Sequence, residues 1–254
     1  DLAAGKHVQS TDDLEAVEQE LEAQEPQEPV SAPPEKQYGF VAVCAGSGLE
    51  AVFRDLGVDG IISGGQTMNP STEDILREID RTPAHVVYVL PNNKNIIMAA
   101  EQCVRLCQDK TVVVLPTKTV PQGIAAMLAV DLDAEQEELT ELMTQSAQGV
   151  RTAEITYAAR DSDFDGFAIQ EGDYLALLEH QLFGTDRDLD ALLERLAQSE
   201  EIQSAEFISI FYGEDVSEAD AQRAADTFTA ACPNAEVNLL PGGQPVYYYM
   251  ISAE

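Results

Sequence analysis

Four short apolar runs dominate the first half of the chain, at residues 40–43 (FVAV), 59–63 (DGIIS), 85–90 (HVVYVL) and 111–115 (TVVVL). Each is continuous rather than alternating, the pattern of strands covered on both faces. The polar-apolar stretches between them, residues 49–56, 71–79 and 95–108, predict helices. Strands alternating with helices at this spacing predict βαβ crossovers and a parallel sheet. From residue 124 to residue 148 a helical pattern links to a second half. There, residues 151–160, 166–170 and 174–183 read as strands joined by tight turns. A helix at 188–197, a strand at 207–212, a helix at 218–231 and strands at 235–240 and 246–252 follow. Ser217 with Asp220 marks a capped start for the helix at 218–231. The expected fold class is therefore two-lobed α/β. A parallel-sheet lobe spans residues 38–125, and an α+β mixed-sheet lobe spans residues 126–254. Residues 1–37 stand apart, an acidic tail with Pro26, Pro29, Pro33 and Pro34 that predicts an extended linker, with a short acidic helix at 12–23.

Parallel topology places every loop that follows a strand at one edge, where open α/β sheets bind ligands. Those loops are residues 45–48, 64–71, 91–95 and 116–119, rich in Gly, Ser, Thr, Asn and Lys. They nominate Ser47, Gly64, Gly65, Gln66, Thr67, Asn69, Ser71, Asn92, Asn93, Lys94, Asn95 and Lys118 as partner- or ligand-facing residues. The loop ISGGQTMNPSTEDI, residues 62–75, contains two competing helix caps. Asn69 can cap with Pro70 at the first helical position, or Ser71 can cap with Asp74 three residues on. Neither accounts for Gln66, Thr67 and Met68, which favours recognition for that part of the loop. A second GGQ, Gly242-Gly243-Gln244, precedes the last strand and adds Gln244 to the set.

Other motifs read as local structure. Gly46-Ser47-Gly48 follows a strand and precedes a helix, but it lacks the lysine of a P-loop and the third glycine of a dinucleotide fingerprint. Asp161, Asp163, Asp165 and Gly166 match half a calcium loop, yet position 12 is Gly172, and a hairpin turn fits better. His7, His85 and His180 lie far apart, and no nucleophile-base set can be assembled. Catalysis by this chain alone is not expected. The four cysteines, Cys44, Cys103, Cys107 and Cys232, form no CxxC and read as buried thiols of a reducing cytoplasm rather than metal ligands. The formal net charge of −32 disfavours nucleic acid and anionic membrane as partners. No run of about 18 apolar residues predicts a transmembrane segment. The chain starts at Asp1 rather than Met, and it is expected to be a piece of a longer protein.

Several stretches occur in an order that resembles a known family. They are residues 39–76, 89–102 (VLPNNKNIIMAAEQ), 112–129, 155–166 (ITYAARDSDFDG), 211–221 (FYGEDVSEADA) and 242–254 (GGQPVYYYMISAE). From about residue 38 to the last residue, the chain resembles the C-terminal region of the YloV/FakA family, the kinase subunit of bacterial fatty acid kinase. The resemblance implies a two-lobed DegV/DAK-like fold, related to DegV-type lipid binders and dihydroxyacetone kinase. It implies a FakB/DegV-type fatty-acid-binding protein as partner, alongside the N-terminal kinase domain of the parent chain. ATP and Mg are expected only in that kinase domain, so this chain needs no cofactor or metal. The parent is then an ATP-dependent fatty acid kinase, and this region docks the acyl carrier in the cytoplasm. Two alternatives stay open: a small-molecule or fatty-acid binding domain with its ligand between the lobes, and a purely structural dimer-forming module. The histidine by which related dihydroxyacetone-binding domains hold substrate has no counterpart here, since Leu49 follows Gly46-Ser47-Gly48. Thr67 to Ser71 is the positional cousin of the hydroxyl-rich carboxylate loop of DegV-type binders, by analogy of fold.

Overall fold

The structure is a computed structural model describing residues 31–254, whose compact unit is Ala32–Glu254. The helix expected at 12–23 lies outside the described residues. The chain opens with β1 (Lys36–Cys44), α1 (Ser47–Asp55), β2 (Gly60–Ser63), α2 (Thr72–Arg81), β3 (Ala84–Leu90), α3 (Lys94–Leu106) and β4 (Thr111–Val114). These four strands form one parallel sheet in the order β2-β1-β3-β4. The continuous apolar runs have their physical cause here. β1 is buried from Tyr38 to Cys44, and β3 from Val86 to Leu90, because helices cover both faces. On one side Val41, Val43, Val87 and Val89 pack against Ile75 and Ile79 of α2 and against Ile96 and Ala100 of α3. On the other, Phe40, Ala42, Tyr88 and Leu90 meet Leu49 and Phe53 of α1.

The linking helix expected over residues 124–148 is two helices, α4 (Val120–Leu128) and α5 (Gln136–Gln148). Thr119 caps α4 by accepting from the Gln122 amide, so the helix begins earlier than its apolar pattern suggests. The break falls where Asp131 takes the Asp133 amide with its own carboxylate at 3.0 Å, a local bond that competes with helical pairing. Both helices return to the first sheet, where Tyr88 Oη donates to the Gln136 carbonyl at 3.0 Å.

The second half contains β5 (Arg151–Tyr157), β6 (Ser162–Phe164), β7 (Phe167–Ile169), β8 (Tyr174–Leu178), β9 (Gln181–Asp186), α6 (Leu189–Ala197), α7 (Glu200–Gln203), β10 (Phe207–Tyr212), α8 (Glu218–Ala231), β11 (Glu236–Pro241) and β12 (Tyr249–Ala253). Six of the strands form a mixed sheet in the order β11-β10-β12-β5-β8-β9, with only β10 and β11 parallel. Leu192, Leu196, Ala221 and Phe228 of α6 and α8 cover one face of it. The other face turns toward the first lobe, and Phe211 and Met250 join the core built around Phe40, Tyr88, Leu49 and Phe53. The half calcium loop is the tip of the β6–β7 hairpin, with Asp165 and Gly166 at positive φ and the Gly166 amide donating to Asp163 Oδ1 at 3.0 Å. Residues 174–183 are two strands. Glu179 and His180 form the turn between them with φ of 52° and 64°, the signature of a primed hairpin turn.

Candidate functional site

The four loops do converge, and asparagines stitch them together. Asn92 sits in the left-handed region at φ 55°, which directs its side chain back under the sheet edge. From there its Nδ2 donates to the Val43 carbonyl at 2.9 Å, while its backbone amide donates to Thr117 Oγ1 at 3.1 Å. Asn93 Nδ2 donates to the Gly65 carbonyl at 2.6 Å, and its Oδ1 accepts the Asn95 amide as the cap of α3. The loop after β3 therefore fixes those after β1, β2 and β4. Gly64, at φ 149°, lets the loop after β2 fold back on itself, where the Gly65 amide donates to the Met68 carbonyl at 2.8 Å.

Of the nominated residues, Gly64, Gly65, Gln66, Asn92, Asn93, Lys94, Asn95 and Lys118 line one cavity of about 230 Å³. Its far wall comes from the mixed sheet and its turns: Glu154, Leu177, His180, Tyr247 and Met250. The cavity thus lies between the ligand edge of the first sheet and the inward face of the second. Thr67 and Asn69 stand exposed outside it. Ser71 settles the choice of cap: its Oγ accepts the Asp74 amide at 3.1 Å, and Asp74 Oδ2 accepts the Ser71 amide at 3.0 Å. That exchange holds the Asp74 carboxyl below its ordinary range.

Ser47 and Gln244 lie elsewhere, in a clasp between the lobes. The amides of Gly48 and Leu49 both donate to the Gly242 carbonyl at 3.0 Å, so the first turn of α1 is occupied by the chain itself. A side chain at Gly48 would place a Cβ 1.7 Å from the Pro241 carbonyl oxygen. Gln244 is 1% exposed and donates to the Phe211 carbonyl at 2.9 Å. The paired GSG and GGQ sequences are two halves of this backbone contact.

Glu154, His180 and Tyr247 escaped the sequence reading. Glu154 carried the one available signal, a lone acid within an apolar strand. It is buried, and burial first, with the nearby Glu179 carboxylate adding to it, raises its pKa to about 7 despite an opposing hydrogen bond from Tyr247. His180 is held below its ordinary value by burial and then by Lys94, with Lys118 adding to the effect and Glu179 opposing it. Lys94 and Lys118 are exposed at the cavity mouth, and neither has an acid within ion-pair distance among the described residues. Cys44 and Cys103 are pushed up to about 12 and about 11, chiefly by burial, and no group of acids, cysteines and histidines among the described residues could hold a metal.

This geometry defines a class before it defines a family. A parallel four-stranded lobe facing a six-stranded mixed sheet is the fold of DegV-type proteins. It matches the DegV family protein Cg2579 of Corynebacterium glutamicum with a TM-score of 0.63 at 16% identity, over 85% of this chain and 96% of that one. The Streptococcus pneumoniae fatty acid kinase B3 protein, loaded with linoleic acid, matches with a TM-score of 0.56 at 10% identity over 86% and 99%. Dihydroxyacetone kinase from C. freundii matches with a TM-score of 0.56 at 9% identity over 90% and 49%. Residues 39–254 match the FakA-like C-terminal family, the C-terminal region of fatty acid kinase FakA and proteins like it, and the chain belongs to that family. YloV of Bacillus subtilis is 39% identical over 223 residues, covering 87% of this chain and 40% of YloV. An uncharacterised protein of Staphylococcus aureus strain USA300 is 36% identical over 215 residues, 85% of this chain and 39% of that protein. The chain thus spans about two-fifths of the length of these curated relatives. Among the described residues, no helix is long and apolar enough to cross a membrane.

Proposed function

We propose that this chain is the carrier-docking domain of a fatty acid kinase, receiving a FakB/DegV-type protein that holds the fatty acid. Phosphoryl transfer, with ATP and Mg, belongs on this reading to a kinase domain of the longer parent, and this chain catalyses nothing alone. The observation that carries it is a contrast between surface and interior at the ligand edge. Met68 in the loop after β2 is 76% exposed, and Met98, one turn into α3, is 71% exposed. Flexible, polarisable methionines in solvent are typical of surfaces that accept another protein. The cavity behind them suits an acyl chain poorly. Its volume of about 230 Å³ falls below the ~300–1,000 Å³ of ordinary small-molecule sites, and Gln66, Asn93, Lys94, Lys118, Glu154 and His180 give it polar walls.

The test is calorimetric titration of the 254-residue chain with a fatty-acid-loaded DegV-type carrier. Binding that weakens about tenfold or more in Met68→Glu or Met98→Glu is expected, since burying a new charge at an interface is costly. Both side chains are exposed, so the variants should fold. No association at about 100 μM of each folded protein, a Kd range covering even weak transient complexes, would sink the proposal.

A further inference from the structure

The cavity holds chemistry that docking leaves unused. Gln66 lines it, and both ends of its side-chain amide, Nε2 and Oε1, are shut off from solvent without a hydrogen-bonding partner. Buried polar groups in native proteins are nearly always paired, so an amide with both a donor and an acceptor open marks a missing ligand. Lys94 and Lys118 reach the same wall free of any acid among the described residues, in a chain of 46 acids and 14 lysines and arginines. In so acidic a protein, lysines are the groups most readily neutralised by a neighbour. Two left free beside one cavity, with His180 across from them, make a local positive field.

We propose that this cavity binds a small phosphate-type anion, either inorganic phosphate or the terminal group of a small phosphate monoester. The choice follows from the Gln66 amide. A ligand that satisfies it must accept from Nε2 and donate to Oε1. Carboxylate and sulfate are acceptors only at neutral pH, whereas a phosphoryl group with its second pKa at about 6 keeps a hydroxyl for part of the time. Its remaining oxygens accept from the Lys94 and Lys118 ammonium groups, as charge-assisted bonds. Glu154 is the one acid on the cavity wall, beside Tyr247, and in its neutral form it is a further donor. A volume of about 230 Å³ accommodates a phosphoryl group with a few ordered waters at ~30 Å³ each.

The experiment is calorimetric titration of the 254-residue chain with inorganic phosphate, glycerol phosphate, sulfate and acetate at about pH 6.5, near the second ionisation of a phosphate. Saturable phosphate binding is expected, at least about tenfold tighter than sulfate or acetate, as the loss of one charge-assisted hydrogen bond implies. Gln66→Leu and the double variant Lys94→Gln, Lys118→Gln should each weaken it by about tenfold or more. Lys36→Gln, whose ammonium pairs with Asp59 away from the cavity, should not. The lysines are exposed, so their variant answers the question even where Gln66→Leu fails to fold. Tighter binding of glycerol phosphate than of phosphate identifies an ester as the ligand, and the reverse identifies the free anion. The proposal is overturned by the absence of saturable phosphate binding up to about 10 mM, the weak end of specific affinity. It is equally overturned by binding that the cavity variants leave untouched, or by sulfate binding as tightly as phosphate. Carrier titrations on the same variants separate the two readings: a chain that takes the carrier but no phosphate loses only this one.

Discussion

Glu154 makes the stability of this protein depend on pH in a direction opposite to that of salt-bridged carboxylates. Its pKa is about 7 in the folded chain against an ordinary 4.5, with burial as the main cause. Between those two values the folded state holds a proton that the unfolded state has released, so stability falls as pH rises. The penalty is absent below the unfolded value, grows through the interval and is complete above the folded value. The gap from 4.5 to about 7 corresponds to about 3 kcal/mol. Glu154→Gln keeps the size and a hydrogen-bond donor but removes the titration. Urea unfolding of both proteins at steps from about pH 5 to about pH 8 should show the variant gaining ~2–3 kcal/mol relative to the parent chain across that window. Comparing the two at each pH cancels the contribution of the other acids. A difference that stays constant over the whole window would refute the reasoning, because it would mean that Glu154 ionises alike in the folded and unfolded chains.

Three further outcomes follow from the packing. Gly48→Ala should lower unfolding stability by at least about 2 kcal/mol, because its Cβ would meet the Pro241 carbonyl oxygen at 1.7 Å and open the clasp. A thermal melt within about a degree of the parent chain would contradict this. Lys110→Met should cost about 2–3 kcal/mol in urea unfolding, since the buried ammonium donates to the carbonyls of Ile79, Asp80 and Thr82 at the end of α2, and burial holds its pKa below the ordinary lysine value. In the folded chain at about pH 8, a thiol reagent should label Cys107 before Cys44 or Cys103, because only thiolate reacts and burial holds the latter two protonated. Peptide mapping of the labelled protein reads the order directly.

The sequence alone determined the local architecture of the first lobe. Short apolar runs without alternation fit strands covered on both faces, and strand-helix alternation forces parallel crossovers, which place the four loops at one edge. It also determined the family, since several motifs in order identify it whatever the packing. It did not decide which nominated residues share a space. Gln66, Lys94 and Lys118 line a cavity, whereas Ser47 and Gln244 close a clasp, and both sets have the same Gly-rich context in the sequence. Nor could it choose between Asn69 and Ser71 as the cap, because each satisfies the local rule and the fold of the Gly64–Met68 turn selects Ser71. The far wall of the cavity, Glu154, His180 and Tyr247, is brought in by the mixed sheet from well downstream of all four loops, a separation that only tertiary packing bridges. Periodicity carries information over one element. The meeting of two sheets is set by which faces are left apolar once every helix has docked, and that is a property of the whole core.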